Sequence, residues 1–128
     1  MADAGADDLG REQYVSLGTF RRDGREVKTP VWIGEHGGKL YAFSEGEAGK
    51  VKRVRATGRV TLTPCDMRGN LRGEPVAGRG VIVNESALLK AVYGALRRKY
   101  GWQMRLLDGL STLSGKIGQR AVIEIALD

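Results

Sequence analysis

Tyr14-Val-Ser-Leu-Gly-Thr-Phe20, Arg21-Arg-Asp-Gly-Arg25 and the run Val27 to Ile33 follow one another with only Glu26 between the last two, and together they read as a β-hairpin. Val15, Leu17 and Thr19 fall on one face, and Val27, Thr29, Val31 and Ile33 do the same in the second run, which is the period of a half-buried strand. Asp23-Gly24 between them is a turn pair, because both residues tolerate the positive φ that a tight hairpin requires. Pro30 sits inside the second strand. Proline has no N–H to give to a ladder, so it marks a strand edge or a bulge, where backbone is left open to a ligand.

Working outward, Glu35-His-Gly-Gly38 is a second turn and Lys39 to Ser44 a third strand. A helix starting between Ala48 and Lys50 places Val51 and Val54 at i, i+3 as a narrow apolar stripe, and Gly58 closes it. Arg59 to Cys65 and Val76 to Val83 are the fourth and fifth strands, separated by a polar loop over Asp66 to Gly73. The period then changes: Leu88, Leu89, Val92, Tyr93, Leu96 and Tyr100 recur at helical spacing, with Glu85 or Ser86 in the capping position. A second helical piece is expected over Trp102 to Leu113, and Gln119 to Ala126 makes a final strand. The prediction is a mainly β chain with α: a six-stranded antiparallel barrel with flanking helices, one domain over residues 1–128, with 1–10 as a flexible tail.

The composition narrows what such a domain does. With 128 residues, 41% of them hydrophobic, the chain can build one core. Its apolar runs fall far short of the roughly 18 residues that span a bilayer, and the opening MADAGADDLG has no apolar signal region. A soluble, cytoplasmic protein with no membrane partner is expected. Cys65 is the only cysteine and His36 the only histidine, which excludes an internal disulfide and argues against a structural zinc. No Ser/His/Asp set, paired-carboxylate site or phosphate-binding glycine loop is present, so hydrolysis and phosphoryl transfer lack machinery, and any redox chemistry belongs to a bound cofactor.

The net charge is +6, from 21 Lys and Arg against 15 Asp and Glu, and it is concentrated. Lys50, Lys52, Arg53, Arg55 and Arg59 occur within ten residues that contain no acid. At a helix start, cationic side chains join free N–H groups and the positive end of the dipole, a combination that cradles phosphate; a solvated basic face has the same composition. Trp32 reads either as the wall of an aromatic pocket or as a packed core or interface residue. Cys65 reads as a buried structural thiol and His36 as a turn residue. Single-stranded nucleic acid would need aromatic platforms beside the basic residues, and there are none between Phe43 and Tyr93, so no nucleic-acid partner is expected.

Four segments, Thr19-Phe-Arg-Arg-Asp-Gly24, Thr29-Pro-Val-Trp32, Gly49-Lys-Val-Lys-Arg-Val-Arg55 and Pro64-Cys-Asp-Met-Arg-Gly69, occur in an order that resembles the flavin and deazaflavin oxidoreductases related to pyridoxamine 5′-phosphate oxidase, especially their small deazaflavin-type branch. Arg120-Ala-Val-Ile-Glu-Ile125 resembles that family's last strand. The resemblance implies an FMN-binding split β-barrel, a homodimer holding coenzyme F420 or FMN in a groove at the subunit interface. It also implies that Lys50, Lys52 and Arg53 hold the cofactor phosphate, that Arg55 supports them, that Ser44 hydrogen-bonds nearby, and that Thr29, Pro30, Val31 and Trp32 line the isoalloxazine or deazaflavin ring. The implied reaction moves a hydride between the cofactor and a planar or conjugated small molecule, with no catalytic acid or base from the protein; a non-catalytic flavin- or deazaflavin-binding protein is the alternative. Where pyridoxamine phosphate oxidases carry Arg-x-Val-Leu-Leu-Lys, this chain has Lys28-Thr-Pro-Val-Trp-Ile33, which argues against vitamin B6 oxidation. The anionic tail of coenzyme F420 suits the positive charge but does not decide between the two cofactors.

Overall fold

Residues 9–45, 49–101 and 120–128 are described by the computed structural model, and they form a single sheet with two helices. The elements are β1 (Tyr14–Phe20), β2 (Glu26–Val31), β3 (Ile33–His36), β4 (Lys39–Glu45), α1 (Gly49–Thr57), β5 (Arg59–Cys65), β6 (Val76–Ile82), α2 (Ser86–Tyr100) and β7 (Arg120–Leu127). The helical piece expected over Trp102 to Leu113 lies outside the described residues. All strand pairs are antiparallel, in the order β2-β1-β5-β6-β7-β4-β3.

The described sheet has seven strands, not the expected six, because the run Val27 to Ile33 is two strands. Val31 ends β2, which pairs with β1; Ile33 begins β3, which pairs with β4. These strands stand at opposite ends of the sheet order, yet a single residue, Trp32, joins them. The sheet therefore curls round until its two edges meet at Trp32, and the alternation of apolar residues continues unbroken across the change of partner.

Changing edges leaves backbone groups to be satisfied, and the end of α2 supplies the partners. The Ile33 N–H donates to the Tyr100 hydroxyl at 3.0 Å, and that hydroxyl donates to the Gln13 carbonyl at 2.8 Å. Lys99 Nζ donates to the carbonyls of Gly10, Glu12 and Ile33 at 2.7, 2.5 and 2.6 Å. Burial lowers the Lys99 pKa to about 8, against an opposing pull from Glu12, so the group is still an ammonium at neutral pH and each of its three protons has a carbonyl. Burial likewise pushes the Tyr100 phenol up to about 12, keeping its donor proton.

Two apolar clusters follow from the alternation. The interior of the curl holds Val15, Leu17, Val31, Ile33, Leu40, Leu62 and Ile123, and Val51 and Val54 of α1 close one end of it. Gly80 makes room there, since a Cβ on it would lie 3.1 Å from Ile123, 3.2 Å from Val60 and 3.4 Å from Val54. On the outer side α2 lays Val92, Leu96 and Tyr100 over Tyr41 and Val122. α2 approaches the β3 backbone closely: a Cβ on Gly34 would stand 3.0 Å from Leu96 Cδ2. Among the described residues, no helix is long and apolar enough to cross a membrane.

Candidate anion-binding site

Thr19 is the last interior-facing residue of β1 and is fully buried, at the end of the barrel that α1 closes. Its Oγ1 accepts a hydrogen bond of 2.7 Å from Arg53 Nε. Arg53 is confined on a second side as well, because a Cβ on Gly49 would stand only 2.8 Å from its Nη1. The guanidinium thus lies against the first residue of α1. With Nε engaged, its remaining donors are the two terminal amino groups, the pair suited to a bidentate oxyanion.

Facing α1 is the β1–β2 hairpin. The Arg21 N–H donates to the Arg25 carbonyl and the Gly24 N–H to the Arg21 carbonyl, each at 2.9 Å, while Asp23 takes both the Arg25 amide and its Nε. Between hairpin and helix lies a groove of about 480 Å³, lined by Phe20, Arg21, Arg22, Asp23 and Arg25 on one side and by Lys52, Arg53 and Ala56 on the other. Five cationic side chains there face one carboxylate, and that carboxylate already serves Arg25. Burial and then the nearby charge of Arg21 lower the Arg53 pKa. The fold therefore holds like charges together, an arrangement that an anion relieves.

The expected site residues do not all converge on this groove. Lys52 and Arg53 line it. Lys50 lies in the first turn of α1, half-buried, and does not line it. Arg55 lines a separate groove of about 490 Å³ with Thr57, Gly80, Val81 and Asn84. Ser44 is buried on β4, on the same face as Leu40 and Ala42. On β2, Thr29 and Val31 pair with the interior-facing Leu17 and Val15, and Val31 belongs to the core. Pro30 is exposed on the opposite face, beside the Asp66 to Gly73 loop, where a Cβ on Gly69 would lie 3.8 Å from its ring. Trp32, half-buried between β2 and β3, stacks on Tyr100 with ring centroids 4.3 Å apart at 9°.

Thr19, which accepts from Arg53, and Arg21 and Arg22, which line the groove, are not among the expected site residues. The signal was present as three arginines around one acid in Arg21 to Arg25, but their proximity to Arg53 is tertiary. Cys65 is buried, and burial followed by the charge of Asp66 raises its pKa, leaving a protonated thiol. His36 is exposed at the β3–β4 turn.

The sequence matches no protein-family model and no curated protein. Solved structures do match. HutZ, the haem storage protein of Vibrio cholerae, superimposes with a TM-score of 0.72 at 13% identity, over 95% of this chain and 87% of that one. A candidate pyridoxamine 5′-phosphate oxidase of Listeria innocua gives 0.62 at 15% identity, over 94% and 87%. An F420 reductase gives 0.62 at 17% identity, over 100% and 96%. The likeness is one of fold, the split barrel that these proteins share. Split barrels thus serve proteins named for haem, for vitamin B6 chemistry and for a deazaflavin, so the function of this one has to be argued from its own site.

Proposed function

We propose that this split barrel is an oxidoreductase that binds coenzyme F420 or FMN by its phosphate and moves a hydride between that cofactor and a planar or conjugated organic molecule. The cationic groove against α1, with Arg53 aimed by Thr19, is the observation that carries the reading. When bound, the cofactor ring supplies the hydride chemistry. The residues of the chain bind and orient it. Lys52 and Arg53 hold the phosphate from the groove, with Lys50 at the helix start, Arg55 on the far side of α1 adding to the positive field, and Ser44 as a nearby hydroxyl. The segment Thr29, Pro30, Val31 and Trp32 borders the ring with its backbone, since β2 ends the sheet order and has one ladder neighbour. The groove is open to solvent on one side, so a second subunit completes the enclosure and the working form is a homodimer. Haem, the ligand named for HutZ, has weaker support, because the chain's one histidine is His36 at the exposed turn.

Absorbance titration of the purified protein with FMN and, separately, with coenzyme F420 tests the reading. Saturable binding of one of them is expected, followed by steady-state turnover of an acceptor by the loaded protein, with light scattering reporting two chains of 13.9 kDa. Failure of both cofactors to bind would sink it, and binding without turnover of any acceptor would leave a cofactor carrier instead of an enzyme. A single 13.9 kDa species with cofactor tightly held would remove the dimer.

A further inference from the structure

We infer that the β1–β2 hairpin is a second anion subsite, so that the groove takes a small molecule carrying at least two linked anionic groups, one against Lys52 and Arg53 and another against Arg21 and Arg22. The inference rests on the reading of α1 as an anion-binding element and adds to it the hairpin, which the phosphate assignment leaves without a role.

Size is the first argument. At about 480 Å³ the groove falls in the range of roughly 300–1,000 Å³ that holds a drug-sized ligand, well beyond the needs of one phosphate. Charge is the second. Asp23 neutralises Arg25 through a 2.8 Å contact, which leaves Arg21 and Arg22 as the hairpin's cations facing Lys52 and Arg53. Arg21 stands close enough to Arg53 for its charge to be felt there. A polyanion bridging the two walls removes that repulsion, whereas one anion on the helix side leaves the hairpin uncompensated.

Geometry is the third argument. The two backbone hydrogen bonds across the turn and the Asp23 contacts hold the hairpin in place before any ligand arrives, so little ordering is left to be done on binding. Phe20 also lines the groove, and its ring lies 5.0 Å from the Arg59 guanidinium. A single-stranded nucleic acid would stack successive bases on several rings, and this groove offers one.

Isothermal titration of the full chain with inorganic phosphate and with tripolyphosphate, at fixed ionic strength, tests the subsite apart from any ring. Arg21 and Arg22 are exposed, and the turn's backbone hydrogen bonds do not involve their side chains, so the double variant Arg21→Ala/Arg22→Ala keeps its fold. A variant of equal charge loss elsewhere, Arg97→Ala/Arg98→Ala on the exposed side of the last turn of α2, reports the mean-field effect. Tripolyphosphate should bind the wild type at least about tenfold more tightly than phosphate, a preference that falls below about threefold in the hairpin variant and persists in the α2 variant. An unchanged preference in the hairpin variant, or equal loss in both variants, overturns the inference. So does an oligothymidylate that binds the wild type more tightly than tripolyphosphate and displaces it. If FMN and coenzyme F420 both fail to bind while the tripolyphosphate preference behaves as stated, the cofactor reading falls and the subsite stands.

Discussion

Arg53→Ala is expected to weaken binding of FMN or coenzyme F420 by about ten- to a hundredfold and to leave binding of riboflavin nearly unchanged, since a charge-assisted bond to phosphate contributes about 1.5–3 kcal/mol and riboflavin has none to offer. The fold should survive, because Arg53 lies at the groove surface and outside both apolar clusters. Thr19 makes the result specific. Thr19→Val keeps the volume of a fully buried side chain but removes the oxygen that accepts from Arg53 Nε, so the guanidinium loses its aim and the affinity for the phosphorylated ligand falls. If Thr19 acts through Arg53, the double variant should bind no worse than Arg53→Ala alone, a non-additivity that independent sites do not show. Lys50→Ala provides the contrast: a larger loss there than for Arg53→Ala would move the phosphate from the groove to the helix start. Calorimetry with phosphorylated and phosphate-free ligands measures all of these. Equal losses for riboflavin and FMN would mean that Arg53 shapes the pocket in general, and no loss for either would return the basic helix to a solvated face.

The second large effect is on stability. Tyr100→Phe keeps the ring that stacks on Trp32 but removes the partner of the Ile33 N–H and the donor to the Gln13 carbonyl. Leaving the buried Ile33 N–H without its partner costs about 1–3 kcal/mol, and the denaturant midpoint should fall accordingly with an unchanged slope. Lys99→Met fills a similar volume and strips the charged donor from three carbonyls, so a loss at least as large is expected. Hydrogen exchange locates the damage. Opening should concentrate at residues 10–13 and at the start of β3, the segments those side chains tie together, and a Tyr100→Phe or Lys99→Met protein that unfolds like the wild type would show that the barrel closes without this clamp.

What was legible in the chain was local. The alternation of Val15, Leu17 and Thr19, the Asp23-Gly24 turn and Gly58 after Val51 and Val54 report faces and ends of single elements, and the hairpin β1–β2, the bounds of α1 and the inward face of α2 are where those signals put them. Period reveals which face of a strand is buried, whatever strand lies beside it. For that reason the run Val27 to Ile33 shows no trace of the change from β1 to β4 as hydrogen-bonding neighbour, and the seventh strand and the closure at Trp32 exist only in the folded sheet. The candidate site divides in the same way. A basic helix start at Gly49 to Arg55 is a fact of composition. That Arg53 turns to Thr19, that Arg55 faces another groove, and that Arg21 and Arg22 stand opposite Lys52 depend on how α1 closes the barrel end, with Gly80 leaving room for Val54. Residues 14–57 alone determine a hairpin and a cationic helix, whereas the packing of side chains distant in sequence decides which of those cations share one groove.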